Sequence, residues 1–274
     1  MKDKTVFLLS FLAALSVLFA AGTIAYGLFM TPLANKDEPI QEAMGAIDTP
    51  DDITLLLCAA KDSRSLPTEF ALVNLSPKNG RVTITNLPAD LQVNFGTRSD
   101  TLDQCYGYGG MLQVRKSLQQ KNISADYYAA TTLEDVGNIV DSLGPFSFFV
   151  PKDIYVYDQH NRLLFKQPAG DFLLGGVQLS GILKHIDLPP REFTALWLDL
   201  FKNLLSLYMT PDNAQNLPQI FAAAADGLTT NISAANINIL QKNMTALTAV
   251  GSVTFSAPQN FDTDDLYKTL NTYF

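Results

Sequence analysis

The N-terminal part of the chain carries one long hydrophobic run. No charged residue occurs from Thr5 to Asn35, and Leu, Phe, Ala, Val and Ile dominate the segment Val6–Met30. About twenty consecutive apolar residues are enough to cross the hydrocarbon core of a bilayer as a helix. The pattern therefore predicts a short N-terminus at residues 1–4, a transmembrane helix over 5–30, a polar tether over 31–51 and a folded domain at 52–274.

The charges on the two sides of this run differ, and they predict its orientation. Lys2 and Lys4 precede the run, whereas all charged residues from Asp37 to Asp52, which follow it, are acidic. Because positively charged flanks stay in the cytoplasm, we expect a cytoplasmic N-terminus and an extracytoplasmic domain. A signal peptide cleaved near Ala20 is the alternative, but apolar sequence continues well past that residue. We therefore favour an uncleaved, single-pass anchor in the cell membrane.

The first third of the domain has the hydrophobic pattern of β-strands. Ile53–Ala59 is a nearly continuous apolar run of strand length, and Phe70–Leu75 and Arg81–Leu87 are two further strand-like runs. Pro77 and Gly80 lie between the last two runs, early and late in a predicted hairpin turn. The domain is therefore expected to begin with paired strands.

Helical patterns appear in the remainder of the domain. Thr132 is a suitable N-cap and Gly144 a suitable C-terminal residue for an amphipathic helix between them. The clearest helix runs over residues 191–208, and its apolar residues, spaced by three and four, are expected to face the core: Phe193, Leu196, Trp197, Leu200, Phe201, Leu204, Leu205 and Tyr208. Other predicted elements are strands at Phe146–Val150, Ile154–Tyr157 and Leu247–Phe255, and weaker helices at Pro218–Ala225 and Ala234–Met244. Interleaved strands and helices predict an α/β (α+β) fold, with a layered central β-sheet flanked by helices.

Composition narrows the classes of partner. The formal net charge is −8 and the pI is about 4.7, which excludes a phosphate-rich nucleic acid as the expected partner. Two histidines and two cysteines are too few for a zinc site. Cys58 and Cys105 could form a disulfide in an exported domain, and the alternative is that both are small buried hydrophobic residues.

Several segments resemble a known family when they are taken in order along the chain. Leu55–Leu57 resembles the first core strand of that family, and Phe70–Pro77 followed by Arg81–Asp90 resembles its central hairpin and Ile-Pro-Arg-Asp turn. Tyr106–Gly110 is similar to its Ala-Tyr-Ala-Tyr-Gly-Gly segment, and Pro168–Gly176 to its Pro-Gly-x-x-x-Leu-x-Gly segment. The family is the LytR-CpsA-Psr family of cell-envelope proteins, of which this chain looks like a divergent member.

The resemblance covers about residues 52–260 and implies a function in the bacterial cell envelope. Members of the family transfer glycopolymers from a polyprenyl-diphosphate carrier to the cell wall. Such phosphoryl transfer requires arginines that contact the diphosphate and carboxylates that hold a divalent cation. The partners implied are therefore the membrane, a polyprenyl-phosphate lipid or a cell-wall glycopolymer, and the implied cofactor of an active enzyme is Mg²⁺.

This sequence departs from the family at the charged positions. Ala89 stands where the turn of the family has an arginine, and Thr68 and Ala60 stand where it has aspartates. Leu183–Ile186 lacks the arginines of the corresponding family segment, and Trp197–Leu200 replaces an Arg-Gln pair. Each of these changes removes a group that relatives use on a diphosphate or its cation.

The remaining charged residues define the candidate site. By the resemblance, the candidate catalytic residues are Asp62, Arg64 and Asp90. Asp62 and Asp90 are also the candidate ligands of a metal ion. The candidates for binding an anionic ligand are Arg98, Arg115 and Lys184.

Three functions are compatible with these observations. The first, which we favour, is a catalytically degenerate relative, a pseudoenzyme that binds a polyprenyl lipid or another envelope partner. The second is an active glycopolymer–peptidoglycan phosphotransferase with displaced catalytic residues. The third is a structural exported protein that shares only the fold. An apolar tunnel between sheet and helices would favour the first over the third.

Overall fold

The computed structural model describes residues 49–249, residues 253–257 and Leu266. The predicted transmembrane helix at residues 5–30 and the tether as far as residue 48 lie outside the described residues. Within the described part, no helix combines the length and the apolar character needed to cross a membrane.

A mixed six-stranded sheet is the centre of the fold. The strands of the described residues are β1 (Ile53–Ala60), β2 (Pro67–Ser76), β3 (Arg81–Pro88), β4 (Gln92–Phe95), β5 (Arg98–Thr101), β6 (Tyr127–Thr132), β7 (Phe146–Val150), β8 (Ile154–Tyr157), β9 (Leu163–Gln167), β10 (Gly170–Leu174), β11 (Thr229–Thr230) and β12 (Thr254–Ser256). The order in the main sheet is β11-β6-β1-β2-β3-β12. The neighbours β1, β2 and β3 are antiparallel, while β6 runs parallel to β1 and β12 parallel to β3. The pairs β4–β5, β7–β10 and β8–β9 form small separate sheets.

Helices cover this sheet. Their bounds are α1 (Leu102–Gln119), α2 (Leu133–Leu143), α3 (Gly176–His185), α4 (Pro190–Tyr208), α5 (Pro211–Gln215), α6 (Leu217–Ala224) and α7 (Ala234–Ala249), with 3-10 turns at Pro77–Asn79 and Ala225–Gly227. The predicted α/β fold with a central sheet flanked by helices is therefore confirmed.

The two faces of the main sheet belong to different parts of the core. On the first face, Leu56, Phe70 and Leu72 pack with residues of α1 such as Met111 and Val114. On the second face, the alternate side chains of the same strands pack with Leu198 of α4 and with Leu240 and Leu247 of α7: Ile53, Ala71, Val73, Val82 and Ile84. Because successive side chains of a strand point to opposite faces, one apolar run supplies both layers.

A third part of the core lies between α2, α3 and the β7–β10 pair. Val140 of α2, Leu179 and Ile182 of α3, and Phe146 of β7 are buried there together. The helices α2 and α3 meet at two glycines, because a Cβ added to Gly176 would lie 1.8 Å from the carbonyl oxygen of Gly137. Only glycine permits this separation of the two helix backbones.

The predicted helices are confirmed, and so are the predicted strands except for the bounds of the last one. The turn after β2 is a 3-10 turn that ends at Gly80 with φ of 57°, a conformation that glycine adopts readily. The predicted strand Leu247–Phe255 begins too early, because α7 continues to Ala249 and the strand among the described residues there is Thr254–Ser256. Leu240 and Leu247 are seven residues apart and both are buried in the second-face core, which is the spacing of a helix and not of a strand.

Candidate functional site

An apolar cavity of about 270 Å³ lies on the second face, between the sheet and two helices. Strands β1, β2 and β6 form its floor, and α2 and α4 form its walls. Its lining is almost entirely hydrophobic: Leu57, Cys58, Ala59, Glu69, Ala71, Ala129, Thr131, Val136, Ile139, Val140, Leu143, Trp197, Leu200, Phe201, Leu204, Leu205, Tyr208 and Leu228. We call this space the main cavity.

A second apolar cavity of about 230 Å³ adjoins the main cavity towards α7. The two share five lining residues: Leu57, Leu143, Phe201, Leu205 and Tyr208. The two cavities are therefore neighbours beneath α4, and we call them together the apolar channel. Each has a volume slightly below that of pockets that hold small organic ligands, which begins at about 300 Å³.

The helix α4 positions the aromatic part of this channel. Trp197 and Phe201 stack with ring centroids 6.1 Å apart, and the Tyr208 hydroxyl donates a hydrogen bond to the carbonyl oxygen of Gly144 after α2. The apolar stripe predicted for α4 does face inward. Apart from the buried Leu200, five of its residues line the channel and do not fill a closed core. The indole Nε1–H of Trp197 is buried and has no hydrogen-bond partner among the described residues.

Glu69 is the one acidic side chain among the residues that line the main cavity. It lies on β2 between Ala59 of β1 and Pro88 of β3, and burial raises the pKa of its carboxyl to about 7. No charged neighbour contributes to that shift, and the described residues give the carboxyl no hydrogen-bond partner. Glu69 was not among the predicted site residues. Because side chains alternate along a strand, its spacing from Ala71 and Val73 on β2 placed it on the second face.

A polar pocket of about 260 Å³ adjoins the main cavity and shares Thr131 and Leu228 with it. Its lining includes Asp62, Ser63, Ser65, Tyr106, Thr132, Asp135 and Asp226. Three carboxylates and no Lys or Arg side chain line this pocket.

Asp62 is held at the rim of the polar pocket by its own loop. Its carboxylate accepts hydrogen bonds from the Arg64 backbone N–H and the Ser65 hydroxyl, each at 2.9 Å. These bonds, the first more than the second, lower the pKa of Asp62, and the positive charge of Lys184 lowers it slightly further. Of the predicted residues, Lys184 is thus close enough to Asp62 to affect its charge, although the two side chains form no ion pair among the described residues.

The other predicted site residues are placed elsewhere. Asp90 is exposed in the turn after β3, where the Leu91 N–H donates to the Pro88 carbonyl, and it does not line the polar pocket. Arg98 is exposed at the start of β5, and Arg64 is also exposed. Arg115 lies half-buried on α1.

The two predicted metal ligands are not brought together. Asp62 lines the polar pocket and Asp90 does not, so the two carboxylates belong to different surroundings. Within residues 49–249, 253–257 and Leu266, no group of three or more His, Cys, Asp or Glu side chains is placed to hold a metal ion. Asp62 and Asp90 therefore do not form the joint Mg²⁺ site that the family resemblance implies.

The predicted disulfide is not formed. Cys58 and Cys105 are free thiols, both buried in the core on the first face. Burial raises the pKa of the Cys58 thiol to about 12, and the Ser117 hydroxyl donates to the Cys105 sulfur at 3.7 Å. The second interpretation of the cysteines, as small buried hydrophobic residues, describes both of them.

The glycine-rich segment of α1 has packing and turn roles, with one exception. Tyr108 stacks on Phe95 with centroids 5.0 Å apart, and Gly110 has φ of 60° at a kink in the helix. Tyr106, in contrast, lines the polar pocket. Burial raises the pKa of its phenol, and Cys58 contributes to the same shift.

The fold and the cavity together define an α/β protein whose sheet and helices enclose an apolar channel. Residues 51–184 match the model of the LytR_cpsA_psr family, and this part of the chain belongs to that family. The resemblance found in the sequence is therefore confirmed. A search of curated protein sequences gives no significant match.

Solved structures of bacterial proteins share the fold at low sequence identity. A protein of Eubacterium siraeum described as a transcription regulator superposes with a TM-score of 0.69 at 18% identity, covering 87% of this chain and 100% of that one. TagV of B. subtilis superposes with a TM-score of 0.64 at 15% identity, covering 82% and 96%. TagT, solved with LIIa-WTA bound, superposes with a TM-score of 0.62 at 15% identity, covering 81% and 89%.

Proposed function

We propose that this chain is a membrane-anchored, extracytoplasmic protein of the bacterial cell envelope that binds the hydrocarbon chain of a polyprenyl lipid without transferring its head group. The observation that carries the proposal is the apolar channel between β1, β2, β6, α2 and α4. Membership of the LytR_cpsA_psr family and the likeness to TagT, which is solved with LIIa-WTA, support the same kind of partner.

The channel suits a flexible hydrocarbon chain. Its walls offer almost no hydrogen-bonding groups, so a sugar or peptide inside it would lose its hydrogen bonds to water without compensation. A hydrocarbon chain instead gains about 25 cal/mol for each Å² of apolar surface that it removes from water. A membrane anchor before residue 49 would hold the domain close to its lipid supply.

The charged groups argue against transfer of a diphosphate-linked head group. Ala89 is half-buried in the core of the first face, and its carbonyl accepts from the Asp103 N–H, so this turn presents a methyl group where relatives have a guanidinium. The polar pocket beside the channel is lined by three carboxylates. An anionic head group without arginine partners would be poorly compensated there.

One observation favours an active phosphotransferase as the second candidate. Lys184 acts electrostatically on Asp62 at the rim of the polar pocket, so the site keeps one cation near one carboxylate. Turnover of a polyprenyl-diphosphate glycan onto peptidoglycan by the purified protein, abolished by Asp62→Ala, would establish this function instead.

The proposal predicts that lipid co-purifies with the protein. Full-length protein is solubilised in mild detergent, and its bound lipid is extracted and identified by mass spectrometry. Ala129→Phe places an aromatic ring into the main cavity and should remove most of the bound polyprenyl lipid. Ala222→Phe adds the same ring at an exposed position of α6 and should leave the lipid content unchanged.

The comparison of the two variants decides between specific and incidental lipid. Equal polyprenyl content in the Ala129→Phe and Ala222→Phe proteins would show that the lipid lies outside the channel. A channel that never carries polyprenyl lipid in the unmodified protein would likewise contradict the proposal.

A further inference from the structure

The lining of the main cavity contains one acidic side chain that the proposed lipid binding does not explain. Eighteen residues line the cavity, and all but one have side chains that are neutral near pH 7. Glu69 is the exception, a carboxyl on the central strand β2 with apolar neighbours around it. Glu69 is half-buried, and the described residues form no hydrogen bond or ion pair with its carboxyl. A ligand that fills the cavity would remove more water from the carboxyl, which is costly for the ionised form unless it is paired.

The groups that face Glu69 from the surrounding elements cannot neutralise it. Tyr208 on α4 is the other titratable side chain that faces the cavity, because the Cys58 side chain points to the first face. Burial raises the pKa of both Tyr208 and Cys58, so both are neutral near pH 7. The lining residues from β6 and α2 are Ala129, Thr131 and four aliphatic side chains, none of which titrates. The charge state of the lining therefore changes only at Glu69.

We propose that Glu69 controls the occupancy of the channel, which takes up an uncharged lipid chain only while the Glu69 carboxyl carries its proton. This inference rests on the proposed lipid-binding function and assigns a specificity-determining residue to it. A hydrocarbon chain that fills the cavity displaces any water that solvates the carboxylate. The protonated carboxyl tolerates that change, because a neutral group costs far less to desolvate than an ion does.

The same argument gives the direction and size of the pH dependence. Glu69 in the empty protein has a pKa of about 7, so most molecules carry the proton at pH 6 and most have lost it at pH 8. If only the protonated form accepts the ligand, one proton is linked to binding, and affinity falls by about tenfold between these two pH values. A carboxyl elsewhere in the protein would not produce this change.

The test uses Trp197, the only tryptophan of the chain, which lines the main cavity. Full-length protein in nanodiscs is titrated with farnesol, an uncharged isoprenoid alcohol, at pH 6 and at pH 8, and Trp197 fluorescence is followed. Farnesol carries no titrating group, so its partition into the nanodisc is the same at both pH values. We expect the apparent Kd to be about tenfold higher at pH 8.

Matched variants locate the effect. Glu69→Gln keeps the size of the side chain and should bind farnesol equally at both pH values, and Glu69→Met should do the same. Glu134→Gln, an exposed glutamate on the cavity-lining helix α2, should retain the tenfold difference. Folding of each variant is checked by far-UV circular dichroism at both pH values.

The outcomes separate the inference from the proposed function. Farnesol binding with the same Kd at pH 6 and pH 8 overturns the role of Glu69 while lipid binding stands. A tenfold difference that persists in Glu69→Gln overturns it as well. Absence of any Trp197 response at either pH contradicts lipid binding in the channel itself, and the inference fails with it.

Discussion

The two faces of the central sheet are formed by alternate residues of the same three strands, but they are packed differently. On the first face, Leu56, Phe70 and Leu72 are fully buried against α1. On the second face, Leu57 and Ala71 border the main cavity, and α4 spans the open space above them. Apolar composition is similar on both faces, so the covering helices decide which face is filled.

This difference shows where the molecule gains stability and where it keeps room for a ligand. A filled layer stabilises the fold through burial and close packing. An apolar cavity does the opposite, since its lining loses contacts that a filled core would make. The second face therefore carries an energetic cost that a bound hydrocarbon chain could offset, and variants on the two faces should behave differently.

The largest expected difference is between Phe70→Ala and Leu204→Ala. Phe70 is fully buried on the first face, and its truncation should cost about 3–5 kcal/mol of unfolding free energy because a new cavity is created. Leu204 is half-buried beside an existing cavity, so its truncation should cost clearly less. Urea unfolding of the full-length protein in detergent, followed by Trp197 fluorescence, measures both. Equal losses would contradict the distinction between the faces.

A smaller effect is expected from the charge of Glu69. Its pKa rises from 4.5 to about 7 on folding, so the folded state binds more protons than the unfolded state between these values. The contribution of Glu69 to stability should therefore be fully present below about pH 4.5, fall as the pH rises to 7, and be lost above it, by on the order of 2–3 kcal/mol in total.

The Glu69→Gln variant isolates this contribution. It should lose less stability between pH 5 and pH 8 than the unmodified protein does, as measured by urea unfolding at the two pH values. Glu134→Gln, whose side chain is exposed, should follow the unmodified protein. A Glu69→Gln protein with an unchanged pH dependence would show that the carboxyl is solvated.

The smallest effect concerns the helix that forms one wall of the channel. Thr132 caps α2: its hydroxyl oxygen accepts from the Asp135 N–H at 3.2 Å, and the hydroxyl donates to the Asp135 carboxylate at 2.6 Å. Thr132→Ala should cost about 1 kcal/mol, and Thr132→Ser should cost much less because it keeps the cap. Hydrogen exchange of the first turn of α2 would register the change, and an unaltered exchange rate would contradict the cap's role.

The sequence predicted the elements whose hydrophobic pattern is regular. The runs in β1 to β3 and the spacing in α4 gave these elements nearly at their observed bounds. Helix α1 was accessible only through the family resemblance, because Gly107, Gly109 and Gly110 interrupt its pattern and two of them have non-helical backbone angles.

The candidate site was harder to predict than the fold. The family resemblance predicted a site of charged residues. Of these, only Asp62 and Lys184 lie near enough for one to affect the pKa of the other. The channel depends on the distance between α4 and the sheet. No local pattern in the sequence encodes that distance. Glu69 was not predicted as a site residue, because a single acidic residue in a strand indicates a function only when the cavity beside it is known.

The order of strands in the main sheet has a consequence for how the chain acquires its structure during synthesis. Strands β1, β2 and β3 are consecutive and antiparallel, so they can pair early as a meander of local contacts. The outermost positions are filled by β11 and β12, which come from residues 229–230 and 254–256. Until those residues emerge, β3 and β6 present unpaired edges, which invite association with other chains. The nascent protein is thus exposed to edge-to-edge association until β11 and β12 have been made.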